Sequence, residues 1–329
     1  MIVVAFGLCT FDGNIHAAQG PDLKPEKTRL EVAIAATGPL YLPILLANEA
    51  GYFSKRGVTV NISTLSATAS AQALLSGQVD IYQGGTATIH ANVAGSDLIY
   101  IAASVDRSTL MLFGQKGLTT FESLRGKSVA TTSVGAFGEI AMRKTAKEHG
   151  MEIGKDIKLL YHKGPPDALS TFLVGNADGV IITPPQTEMA RGKGFPVIVD
   201  FYEKGLKIIG PGTGIARAFM QKNPNTLKIF LMGYLDGVKR CLDDPVYAQK
   251  ILSQTSKITD SKLLEDSYRD GVKVWNKDMT VDPEAIKLVL EQSTVAKAAE
   301  FEPKRFFDNT LIREVNRDYG SKLFPGQVK

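Results

Sequence analysis

Residues 45–80 read LLANEAGYFSKRGVTVNISTLSATASAQALLSGQVD. The spacing predicts helix, glycine stop, strand, polar turn, helix and strand. A chain that alternates in this way covers a sheet with helices, and its strands run parallel. Each strand then ends in a short polar loop that opens a helix. A helix N-terminus leaves backbone N–H groups unpaired and carries about half a positive charge. Several such ends aimed into one crevice hold a small anion without metal or catalytic side chains.

The same alternation starts earlier and is repeated later. Residues 29–36 (RLEVAIAA) suit a first strand, and Thr37-Gly38-Pro39 ends it before a helix over 40–52. A short strand over 79–82 leads into Gly84-Gly85-Thr86 and another helix. From Phe121 a similar unit begins, with strands over 127–131, 157–161, 178–182 and 196–200. Beyond Thr226 every segment has helical spacing: 227–242, 246–254, 261–275, 283–296 and 310–319. The pattern predicts two α/β lobes and a helical C-terminal tail packed on the first. The lobes are expected at 28–115 with 217–329, and at 116–216. The chain crosses near 113–117 and returns near 210–215, where KIIGPGTGIA has the composition of a hinge.

Composition narrows the function. A hydrophobic fraction of 44%, a charged fraction of 22% and a net charge of +4 over 329 residues describe a globular chain with no basic arm for nucleic acid. No apolar run reaches bilayer length. Cys9 and Cys241 give no disulfide framework, and the four histidines, His16, His90, His149 and His162, show no metal-ligand spacing. The apolar start MIVVAFGL, with small residues at Ala17 and Ala18, is expected to be a signal peptide with an atypical start, cleaved near Ala18. Residues 1–27 are accordingly expected to stand outside the fold.

Four stretches carry a family resemblance: PLYLPILLANEAGYFSKRGVTV, LLSGQVDI, FESLRGKSVATTSVGAFGEIAMRKTAKEHGMEIGKDIKLLY and NADGVIITPP. In this order they resemble the periplasmic solute-binding proteins of ABC importers for sulfonates, taurine, nitrate and thiamine precursors. The resemblance implies a type II periplasmic-binding fold of two Rossmann-like lobes joined by a two-strand hinge. It implies an extracytoplasmic monomer that delivers a small organic anion, sulfonate- or carboxylate-like, to a membrane permease, with no cofactor and no catalytic residue. A neutral or aromatic solute such as a thiamine-precursor pyrimidine is the alternative. An enzyme on the same scaffold is a further one, although the synthases that resemble this fold carry a cysteine-rich cluster and two separated cysteines supply none.

Ligands of open α/β sheets sit beyond the carboxyl ends of the strands. That rule selects Thr37, Gly38 and Tyr41, then Ser66 and Thr68, then Gly85 and Thr86 in the first lobe. In the second it selects Ser133, Gly135, Ala136 and Phe137, then Thr183 and Pro184. Hydroxyls beside backbone donors suit an anion, and glycine allows close backbone approach. The same residue types also serve as ordinary caps and turns. Tyr41 and Phe137 either flank an apolar part of a solute or pack in the core. Arg107 either pairs with a carboxylate or sulfonate or bonds its neighbour Asp106. His90, inside a helix and without a partner acid, is expected to be a satisfied helix histidine. Asp80 is expected to bond structurally and Trp275 to pack.

Overall fold

The computed structural model describes residues 21–328. The apolar start and its expected cleavage point lie outside the described residues. The strands are β1 (Arg29–Ile34), β2 (Thr59–Thr64), β3 (Ile81–Gly84), β4 (Leu98–Ala103), β5 (Met111–Gly114), β6 (Lys127–Thr131), β7 (Ile157–Tyr161), β8 (Gly179–Ile182), β9 (Val197–Asp200) and β10 (Gly212–Ala216). They form two five-stranded sheets, ordered β2-β1-β3-β10-β4 and β7-β6-β8-β5-β9.

Both sheets share one plan. Three parallel strands are followed by an antiparallel strand that has just arrived from the other lobe: β10 between β3 and β4, and β5 between β8 and β9. The sheets are therefore mixed rather than wholly parallel. Sheet membership changes between residues 103 and 111 and again between 200 and 212, a few residues before the expected boundaries. The two crossing segments run antiparallel and bond each other. Ser104 N donates to Pro211 O at 3.1 Å, Gly210 N to Val105 O at 3.0 Å, Ile208 N to Asp106 O at 3.1 Å and Ser108 N to Leu206 O at 2.9 Å. This ladder is the two-strand hinge.

β10 has no counterpart in the sequence expectations, because two glycines flank Thr213 there and glycine is depleted in strands. Packing explains the glycines. A Cβ on Gly212 would stand 2.7 Å from the Tyr100 ring, and one on Gly214 would stand 2.5 Å from Thr88 Oγ1. The neighbouring strand and helix fill the space that side chains would take.

The helices are α1 (Leu42–Glu49), α2 (Ala67–Leu75), α3 (Ala87–Val93), α4 (Phe137–Glu148), α5 (Pro165–Leu173), α6 (Gln186–Gly192), α7 (Arg217–Lys222), α8 (Pro224–Asp243), α9 (Pro245–Ser256), α10 (Ser261–Val274), α11 (Pro283–Glu291) and α12 (Thr310–Val315). The tail packs on the first lobe through α8, whose Leu227, Phe230, Tyr234 and Leu235 are fully buried. Phe230 stacks on Phe53 with ring centres 5.2 Å apart.

Residues 23–27 depart from expectation. They belong to the fold: Leu23 packs on the main core, and Lys27 Nζ lies 2.6 Å from Asp80 Oδ1. The other oxygen of Asp80 accepts the Glu31 N–H at 2.9 Å, the structural role expected for this aspartate. Trp275 is also buried as expected, and its Nε1 donates to Pro39 O at 3.0 Å.

Candidate functional site

The carboxyl ends of the strands in the two sheets meet across the seam between the lobes. On one flank, the loop after β3 reaches the loop after β6. Thr86 Oγ1 donates to Gly135 O at 2.7 Å, and His90 Nε2 lies 3.0 Å from the same carbonyl, which it bonds as donor. Gly135 N donates to Glu139 Oε2 at 2.8 Å, and Glu139, only 2% exposed, is held in turn by Arg143 at 2.6 Å. Gly135 has φ +73°, and a Cβ there would stand 2.7 Å from His90 Nε2. Glycine is required at this position by both conformation and space. Beside it, the Phe137 ring closes on Gly85, where a Cβ would stand 3.4 Å from the ring. Tyr100 OH donates to Gly85 O from beneath.

On the other flank, α6 of the second lobe packs on α10 of the tail. Trp275 follows α10 and holds Pro39 O, which brings the loop after β1 to the same seam. A Cβ on Gly271 of α10 would stand 3.3 Å from the Pro39 Cβ. Glu188 of α6 and Asp270 of α10 face each other here from opposite lobes. Burial, and next the approach of Asp270, push the Glu188 carboxyl above the usual range. Arg191 Nε at 3.5 Å pulls the other way. Lys273 Nζ lies 2.9 Å from Asp270 Oδ1.

The structure brings together Gly85, Thr86, Gly135 and Phe137 directly. Gly38 and Tyr41 reach the second flank from the first lobe, and Thr183 and Pro184 reach it as the residues leading into α6. Tyr41 is half-buried, and burial pushes its phenol well up. Ser133 and Ala136 frame Gly135, with Ala136 N donating to Ser133 O at 3.1 Å. Ser66 and Thr68 are exposed, and Ser66 Oγ accepts the Ala69 N–H at 3.3 Å as an ordinary cap of α2. Thr37 is exposed as well. Among the described residues Arg107 makes no hydrogen bond or ion pair with the others. It pairs with Lys207 on the hinge ladder, so the two side chains share a face. Lys207 Nζ lies 3.3 Å from Asp282 and 3.8 Å from Asp106, the neighbour expected to hold Arg107.

Two features escaped the sequence reading. His162 follows β7, and its N–H bonds Thr131 O at 3.0 Å, which puts a further post-strand loop beside the end of β6. Its Nε2 is buried without a partner among the described residues. The rule applied to the other strands selects this loop too, since Pro165 opens the next helix. The second feature is His90, which is more than a satisfied helix histidine because its partner lies in the other lobe.

A cavity of about 590 Å³ lies behind the hinge, between α4 and the loop after β9 on one side and α11 on the other. It has an apolar floor of Phe121, Phe201 and Leu288 and a rim that includes Lys144, Lys204 and Glu291. None of the residues selected from sequence lines it, so this cavity and the candidate site are separate places. Among the described residues no group of three or more His, Cys, Asp or Glu side chains forms a metal site.

The family described as NMT1/THI5 like matches residues 39–248. The nitrate-binding protein NrtA of Synechocystis PCC 6803 superposes with a TM-score of 0.74 at 14% identity, over 92% of this chain and 92% of that one. The alkanesulfonate-binding protein SsuA of Xanthomonas axonopodis pv. citri, bound to MOPS, gives 0.69 at 18% identity, over 88% and 97%. Both likenesses show the fold. The 4-amino-5-hydroxymethyl-2-methylpyrimidine phosphate synthase THI11 of Saccharomyces cerevisiae is 32% identical over 121 residues, 35% of this chain and 34% of the yeast protein. The curated relatives are matched over 62% or less of their own length.

Proposed function

The chain belongs to the NMT1/THI5-like family, and from that premise we propose that it is the solute-binding component of an ABC importer. It takes a small organic anion, sulfonate- or carboxylate-like, into the crevice between two lobes and passes it unchanged to a membrane permease. The first lobe holds β1 to β4, β10 and the helical tail, and the second holds β5 to β9, so the expected boundaries at 115 and 216 move to the crossings at 103–111 and 200–212. The protein works outside the cytoplasm as a monomer.

The observation that carries the reading is the meeting of post-strand loops from both sheets at one seam, with Thr86 bonded to Gly135 across it. A solute bound there contacts both lobes when they close and one when they part. It therefore favours the closed form by the difference. Micromolar capture needs about 8 kcal/mol. A few charge-assisted hydrogen bonds at about 1.5–3 kcal/mol each, with some apolar burial, reach that total. The solutes of NrtA and SsuA, nitrate and alkanesulfonate, support an anion.

Calorimetry and thermal-shift screening against sulfonates, carboxylates, nitrate and pyrimidines test this. One-to-one binding of an anion with a rise in Tm is expected, and a screen without any binder overturns it. The identity to THI11, a synthase of a pyrimidine phosphate, favours a second reading, a pyrimidine as the solute or as the product of an enzyme on this scaffold. Binding of a pyrimidine in preference to every anion, or formation of one by the chain, selects that reading.

A further inference from the structure

The cavity behind the hinge has a volume of about 590 Å³, within the range of roughly 300–1,000 Å³ that small-molecule pockets occupy. Its walls come from both lobes. The C-terminal half of α4 and the loop after β9 form one wall, and α11 of the tail forms the other. α4 has 12 residues and spans about 18 Å, so the cavity and the seam lie toward opposite ends of one helix. The floor is held by its neighbours: Phe121 lies against the His149 ring with centres 4.9 Å apart, and His149 Nδ1 lies 2.6 Å from Glu122 Oε1. Phe201 and Leu288 complete it from opposite lobes.

Charges of both signs surround this floor. Lys144 bonds Glu148, Lys207 pairs with Asp106 and Asp282, and Glu122 is taken by His149. Four others remain: Lys204 on the second lobe, and Glu284, Lys287 and Glu291 at helical spacing on one face of α11. All four are exposed, and among the described residues none forms an ion pair. Two cations and two anions are therefore left to a guest. A guest with a single charge meets its complement and as many like charges, which repel it. A guest with both charges pairs with both, and an apolar body covers the rings beneath.

We propose that this cavity is a second ligand site, for a zwitterion with a compact apolar body: an amino acid with an aromatic or large aliphatic side chain. Lys204 and Lys287 hold its carboxylate, Glu284 and Glu291 hold its ammonium group, and its side chain rests on Phe121, Phe201 and Leu288. The guest touches both lobes, stands apart from the crevice and is independent of which solute the crevice carries.

Calorimetry on the full chain with L-phenylalanine tests this, beside 3-phenylpropionate and phenethylamine, which keep the ring and one charge each. One-to-one binding of L-phenylalanine is expected, about tenfold tighter than either analogue. Lys204→Ala with Lys287→Ala leaves only acids around the floor and should reverse the order, with phenethylamine the tightest. Glu284→Gln with Glu291→Gln should reverse it the other way, with 3-phenylpropionate the tightest. A structural role for these exposed side chains predicts neither reversal, and an unchanged Tm shows that each variant folds. Phe137→Ala, in the crevice, should leave the binding intact. Absence of L-phenylalanine binding to the unaltered chain overturns the proposal, as does a singly charged analogue that binds it equally well. So does binding that survives both double variants and is lost in Phe137→Ala, which puts the guest in the crevice.

Discussion

The Glu26 carboxylate accepts the backbone N–H of Thr226 at 2.8 Å and that of Asn225 at 3.1 Å. These are the third and second residues of α8, two of the N–H groups a helix start leaves unpaired. A residue 200 positions away in sequence thus caps the longest helix of the tail and ties residues 23–27 to it.

Burial raises the Glu26 carboxyl, but its bonds to Thr226 and Asn225 outweigh that and hold it below its usual value of 4.5. The ionised form is favoured in the folded chain, so its contribution is present above the unfolded value and is lost as pH falls through the depressed one. Glu26→Gln is expected to cost about 1 kcal/mol at pH 7. The difference from the unaltered chain should shrink as denaturation is repeated below pH 4.5.

Glu188 has the opposite sign. Its carboxyl is raised by burial and by Asp270, so the folded state holds a proton more tightly than the unfolded chain does. The cost of ionising it is present above the raised value and is relieved as pH falls toward the ordinary 4.5. Glu188→Gln should raise Tm at pH 7.5, with the gain fading as the melts move to acid pH. A lower Tm at neutral pH shows that the Arg191 pairing dominates instead.

Trp275 is the single tryptophan of the chain, and it sits at the seam through its bond to Pro39. Its intrinsic emission is expected to shift when a solute draws the loop after β1 against the second lobe. Trp275→Phe leaves the buried Pro39 carbonyl without its donor and should cost about 2 kcal/mol in denaturant unfolding.

Gly237 allows α8 to lie against α1. A Cβ there would stand 2.8 Å from the Ala47 Cβ and 3.0 Å from the Pro43 carbonyl carbon. Neither is the tip of a flexible side chain, so the helices must separate. Gly237→Ala is expected to destabilise the chain by about 1–3 kcal/mol, measured by urea titration.

Local spacing carried most of the fold into view. The strand over 157–161 alternates buried and exposed residues, and that over 127–131 ends in a continuous buried run inside the sheet; both fall where the sequence places them. β10 was not legible, since its glycines answer to Tyr100 and Thr88, more than a hundred residues away. The loops of the candidate site follow from strand ends, a local rule. The partnership of His90 with Gly135 does not: the two are 45 residues apart, and nothing in either neighbourhood encodes the other. The expectation for residues 19–27 rested on composition, which carries no signal for the cap that Glu26 makes on α8.

The order of the strands also sets the order in which the molecule can be completed during synthesis. All five strands of the second sheet lie in one uninterrupted run, from Met111 to Asp200, and can pair as soon as they leave the ribosome. The first sheet begins earlier but finishes later. Until Gly212–Ala216 emerges, β3 and β4 have no strand between them, and their bare edges face each other across the place it will fill. The half that starts first is therefore the last to be sealed, and a chain released before residue 216 exposes two unpaired edges to its neighbours.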